Sequence, residues 1–77
     1  MRMVTISDNS SVCAGFRLVG VESCLAETAE ELADLLQANI KPEIGLIAVT
    51  SSLAKKGEKV LEKYNETDAP LVTIIPD

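Results

Sequence analysis

Residues Ile44-Gly45-Leu46-Ile47-Ala48-Val49 (IGLIAV) form an apolar run in which Ile44, Ile47 and Val49 are β-branched. A half-exposed strand would alternate apolar and polar side chains, and this one does not. The run is also too short for a helix of ordinary length, so it reads as a strand buried on both faces, as in a parallel sheet. The stretch Leu71-Val72-Thr73-Ile74-Ile75 (LVTII) has the same character and is read the same way. Two weaker runs precede them, Met3-Val4-Thr5-Ile6 and Val21-Glu22-Ser23-Cys24-Leu25. The second of these is partly polar and is placed at a sheet edge.

Parallel strands cannot be joined by a tight turn; they need a crossover, usually a helix. Three helical patterns lie between the four runs. The first spans about Asn9 to Val19, with Val12, Phe16 and Val19 on one face and Cys13 at its border. Asp8 or Asn9 suits its N-cap and Gly20 its C′ position. The second spans Ala29 to about Ala38, opened by a Thr28-Ala29-Glu30-Glu31 capping box, with Ala29, Leu32, Ala33 and Leu36 facing inward. The third runs from about Ser52 to Tyr64, with Leu53, Val60, Leu61 and Tyr64 inward; Gly57 weakens it by ~1 kcal/mol relative to Ala. Asn65 to Pro70 reads as a polar loop. The alternation predicts one α/β domain over residues 1–77: a small doubly wound, mostly parallel four-stranded sheet, order 2-1-3-4, with three flanking helices.

Charge and composition narrow the function. With twelve acidic and seven basic side chains the net charge is −5, which repels phosphate backbones and excludes nucleic acid as a partner. No apolar run approaches the roughly 20 residues that span a bilayer, so no direct membrane insertion is expected, and the lack of a signal-peptide pattern at Met1 points to the cytoplasm. Two cysteines make no disulfide framework and fit no metal-ligand spacing; histidine, the commonest general base and metal ligand, does not occur. No metal or cofactor is expected. The helix start near Ser7 to Ser11 has the free N–H groups of an anion site, but neither phosphate-loop pattern is present, and Gly15 comes too late for close approach. Asp8 after the first strand is read as a cap in preference to a phosphoryl acceptor, since no acidic pair or strand-end lysine accompanies it. Cys13, inside a helix and bordering its apolar face, is read as a buried thiol without a base. Lys55, Lys59 and Lys63 form a like-charged stripe that is read as a solvated face.

This leaves Gly15-Phe16-Arg17-Leu18-Val19-Gly20-Val21. Phe16 belongs to the inner face, and Leu18 lies about 160° round the helix from it. An outward leucine beside Arg17 and a helix-weakening Gly15 suggests close packing against another molecule. By its residues alone the chain is a small α/β interaction module. A flavodoxin-like carrier or enzyme using Cys13 as an acceptor, and a receiver-like module for some other partner, remain as alternatives.

At these residues the chain resembles the F subunit of the archaeal and bacterial A-type/V-type rotary ATPases. The resemblance rests on the G-F-R-L-x-G-V stretch at Gly15–Val21, the helix start at Thr28–Glu31, the strand Ile44–Thr50 and the closing Pro70-Leu71-Val72-Thr73-Ile74-Ile75-Pro76-Asp77. It implies a non-catalytic rotor protein of the central stalk, bound to the coiled-coil D subunit and turning within the ring of catalytic A and B subunits. Such a protein helps couple ATP hydrolysis or synthesis to proton or sodium transport by the membrane rotor, from the cytoplasmic side. Members of that family usually continue into a mobile C-terminal helix, whereas this chain stops at Asp77, so functions carried by that helix are not expected of these residues. Arg17 and Leu18 on the first helix, with Thr50, Ser51 and Ser52 after the third strand, are the expected interface with the D subunit.

Overall fold

The computed structural model describes residues 2–64 and 70–77. The polar loop expected from Asn65 onward lies outside the described residues up to 69. Four strands, β1 (Arg2–Ser7), β2 (Glu22–Leu25), β3 (Ile44–Thr50) and β4 (Leu71–Ile75), form a parallel sheet in the order β2-β1-β3-β4. The helices are α1 (Ser10–Leu18), α2 (Ala29–Ala38), α3 (Ser51–Lys56) and α4 (Glu58–Tyr64). The strand order and the α/β architecture are those expected from the sequence. The third expected helix is instead two, divided at Gly57, whose backbone N–H still donates to the Leu53 carbonyl at 3.0 Å.

Each helix starts for a local reason. The Asn9 side chain accepts from the N–H groups of Ser11 and Val12 and caps α1, so Asn9 and not Asp8 is the cap. Gly20, at φ +85°, takes the left-handed conformation after the C-cap Val19. At α2 the Thr28 hydroxyl oxygen accepts from the Glu31 N–H at 3.1 Å, and the Thr28 hydroxyl in turn lies 3.3 Å from the Glu31 carboxylate.

The two faces of the sheet are unequal. Val4 and Ile6 of β1 and Ile47 and Val49 of β3 pack with Leu32 and Leu36 of α2, Leu53 and Ala54 of α3, and Leu61 and Tyr64 of α4. Ile44 joins this core as well, although it is three residues from Ile47. One extra residue between the pairs Arg2↔Ile44 and Met3↔Leu46 makes this possible: Gly45 bulges out, and the phase of the strand shifts. The opposite face carries α1. There the register aligns Met3, Leu46 and Leu71 in one row, Ser23, Thr5, Ala48 and Thr73 in the next, and Ser7, Thr50 and Ile75 beyond. Right-handed crossovers in this strand order put α1 alone on its side.

Burial departs from the expectation in two places. On α1 the most buried residue is Cys13; Val12 and Phe16 are half-buried, and Val19 is exposed because it is the C-cap and no longer follows the helical period. β3 is largely covered on both faces, but β4 is an edge strand with Leu71 75% and Ile74 56% exposed. Its apolar run reports position in a parallel sheet, not full burial.

Gly15 and Gly57 are predicted to respond oppositely to alanine. A Cβ at Gly15 meets nothing within 4 Å, so Gly15→Ala gains about 0.5–1 kcal/mol of helix propensity. A Cβ at Gly57 falls 2.5 Å from Cδ2 of Leu32, a fully buried side chain, so Gly57→Ala loses about 1–3 kcal/mol through overpacking. Urea unfolding of the two variants against the parent checks both signs.

Candidate functional site

In open parallel sheets, ligands gather at the carboxyl ends of the strands where the strand order reverses. Here the reversal lies between β1 and β3. Ser7 ends β1 at this point and Asp8 and Asn9 follow it, Ser51 and Ser52 follow β3, and Asp77 lies just past β4. Thr50 is completely buried, and its hydroxyl donates to Ser7 Oγ at 3.3 Å; Ser7 Oγ also accepts the Asn9 N–H at 3.1 Å.

Around that buried pair sits a charged network. Asp77 Oδ1 accepts from the Ser51 hydroxyl at 2.6 Å and from the Ser52 N–H at 2.9 Å. Thr50 stands at the N-cap of α3 but makes no side-chain capping bond. Asp77 therefore does the capping from the far end of β4. Asp8 has a side chain only 10% exposed; its Oδ2 lies 2.9 Å from Lys56 Nζ. Ser52 Oγ is 2.6 Å from Asp8 Oδ1 and 2.5 Å from Asp77 Oδ2.

A hydroxyl has one proton, so Ser52 donates to one of these carboxylates at a time. Each carboxylate keeps other support when it loses that proton: Lys56 for Asp8, and Ser51 with the Ser52 backbone for Asp77. The Ser52 hydroxyl and Lys56 hold the Asp8 carboxyl below its usual range, against the opposing effect of burial. The Ser51 hydroxyl, then the Ser52 hydroxyl and N–H, lower Asp77 to about 2. The polar groups at the switch point thus bind one another and tie β1, α3 and the end of β4 together.

The five residues expected at an interface fall into two separate places. Because α1 runs back toward the amino ends of the strands, Arg17 and Leu18 lie at the opposite end of the sheet from Thr50, Ser51 and Ser52. Leu18 is 87% exposed, while a guanidinium N–H of Arg17 donates to the Ser23 carbonyl at 2.9 Å. Thr50 is sealed inside, and Ser51 and Ser52 are half-buried and engaged by Asp77. Cys13 is 1% exposed, with its thiol 3.4 Å from the Cys24 carbonyl; burial pushes the Cys24 thiol up. Among the described residues no group of three or more Cys, Asp or Glu side chains is arranged to hold a metal ion. Nor is any described helix long and apolar enough to cross a membrane. Sequence reasoning missed the pairing of Asp8 with Lys56 and the role of Asp77. The readable signal was slight: acidic residues one and two positions past the first and last strands, each facing a serine-rich helix start.

The sequence matches the family described as ATP synthase (F/14-kDa) subunit over residues 3–77. It is also 32% identical over 75 residues to the F subunit of the V-type ATP synthase of Fusobacterium nucleatum, covering 97% of this chain and 70% of that protein.

The network predicts an acid dependence. A carboxyl lowered on folding adds stability above its unfolded pKa and loses it as pH falls through the folded value. For Asp77 that loss falls between about pH 4 and pH 2. Carbon-13 NMR titration is expected to place the Asp77 midpoint near 2, and Ser51→Ala to raise it toward the ordinary range. An unshifted Asp77 midpoint in the parent protein would contradict the capping role.

Proposed function

The chain belongs to the ATP synthase (F/14-kDa) subunit family, and from that premise we propose that it serves as a non-catalytic rotor component of the central stalk of a V-type ATP synthase. In this role it binds the coiled-coil D subunit of the stalk. Through that shaft it helps couple ATP hydrolysis or synthesis in the A/B ring to proton or sodium transport across the membrane. It works at the cytoplasmic side, as a peripheral component of the complex.

The observation that carries this reading is the match along residues 3–77, which takes in all the helices described and every strand residue but Arg2. The physical character of the site supports it. At the switch point, where a doubly wound enzyme exposes its reactive groups, the charged side chains are joined to each other. Elsewhere three large apolar side chains stand open among the charged ones: Leu18, Val19 and Leu71 are each at least three-quarters exposed. On this reading these side chains belong to the surface that the D subunit covers.

The carrier alternative requires Cys13 to meet a small molecule. Its thiol faces inward, and the chain has no histidine to deprotonate it. Alkylation of Cys13 near pH 7 is therefore expected to be slow and to accelerate only under conditions that unfold the protein; fast labelling of the native state would favour the carrier.

Co-purification with the D subunit tests the rotor reading directly. A stable complex is expected. Leu18→Asp, which changes a side chain the fold does not bury, is expected to weaken it about tenfold, as loss of an anchor of the contact does. No association of the parent chain with the D subunit would contradict the proposal.

A further inference from the structure

The sheet is all parallel, and parallel sheets are covered on both faces. This one is covered unequally. Opposite the main core, cover is least at β4. Thr5 and Ala48 are buried, while Thr73 beside them is exposed; in the next row Met3 is 38% exposed, Leu46 is half-buried and Leu71 is 75% exposed. None of the strand residues on this face is charged, in a chain with twelve acidic and seven basic side chains. α1 lies against β1 and β2 and leaves the face of β4 open, with Leu46 of β3 half-buried beside it.

The geometry points to one occupant for that bare shelf: an amphipathic helix supplied by another subunit, lying beside α1 across β3 and β4 with an uncharged apolar stripe toward Leu46 and Leu71. The dimensions fit one helix. Two strands span about 10 Å, the width of a helix with its side chains. β3 and β4 have seven and five residues, so they support about 11–15 residues of helix. Addition of a strand at the β4 edge is disfavoured by Pro70 and Pro76, which bracket β4 and offer no N–H. A second copy of the chain is disfavoured by the net charge of −5 on each. The same charge favours a partner helix with basic flanks. The inference rests on the reading above that a coiled-coil stalk subunit is the partner, and adds which face of this chain receives it.

The test uses variants on the two faces of one strand. Leu71 and Thr73 point to the proposed shelf; Ile74, 56% exposed, points to the other side. Leu71→Asp and Thr73→Arg are expected to weaken binding to the coiled-coil stalk subunit by about tenfold or more, while Ile74→Asp stays within about twofold of the parent. Circular dichroism and urea unfolding confirm that each variant is folded; because none of the three positions is buried, the fold is expected to survive in each. If the parent binds and the two shelf variants bind equally well, the shelf is not the docking face, while the rotor reading stands. If light scattering shows the parent as a dimer that Leu71→Asp dissolves, the occupant is a second copy, and the inference is overturned. If the parent does not bind the stalk subunit at all, both readings fail together.

Discussion

The structure depends on one geometric constraint: parallel strands must be joined by right-handed crossovers. In the order β2-β1-β3-β4 the chain turns one way after β1 and the other way after β2 and β3. That places α1 by itself on one face and α2, α3 and α4 on the other. The consequence is a core with two characters. On the three-helix side, Ile, Leu and Val side chains pack together with Tyr64. On the α1 side the buried positions are small or polar, namely Thr5, Ser7, Ser23, Ala48 and Thr50. Thr5 satisfies its hydroxyl on the Glu22 carbonyl at 3.0 Å, whereas Ser23 Oγ has no hydrogen-bond partner among the described residues. Such a face gains less from burial than an aliphatic one, and it is the face left open at β4.

The same crossovers bring the ends of β1, β3 and β4 to one place. Carboxylates there would repel one another if left bare. Lys56, two serine hydroxyls and a backbone N–H meet them instead. This joins the last residues of the chain to the start of α3. It also explains why a strand-end region with the location of an enzyme site carries structural bonding. The proposed role uses the surface of the domain and not this crevice.

Much of the architecture was legible in the sequence because its signals are local. Apolar runs, the Thr28 cap, Gly20 after a helix and the alternation of elements are each read within a few residues, and the handedness rule then restricts the strand order. The features that were not legible depend on distant neighbours. Gly57 reads as a weak point in a helix; in the fold it divides the helix, with φ −110° and ψ 31°, and Leu32 occupies the space where a side chain there would stand. The bulge at Gly45 is set by the register with β1. Exposure of β4 follows from its place at an edge, which LVTII does not reveal, since it resembles a central strand. At the candidate site, the outward direction of Leu18 was readable from helical spacing. The closure of Thr50 beneath the sheet's end and the capture of Ser51 and Ser52 by Asp77 were not, because Asp77 is 25 residues from Ser52 along the chain.

The central claim is that this small sheet, with its chemistry-bearing end tied shut, works by presenting a surface to a stalk partner. Amide hydrogen exchange of the chain, free and assembled with the D subunit, tests it most directly. The account predicts new protection in β4 and at the end of α1 around Leu18, with little change along the outer surfaces of α2 and α4. Protection confined to α2 and α4, or no difference between the free and assembled chain, would contradict it.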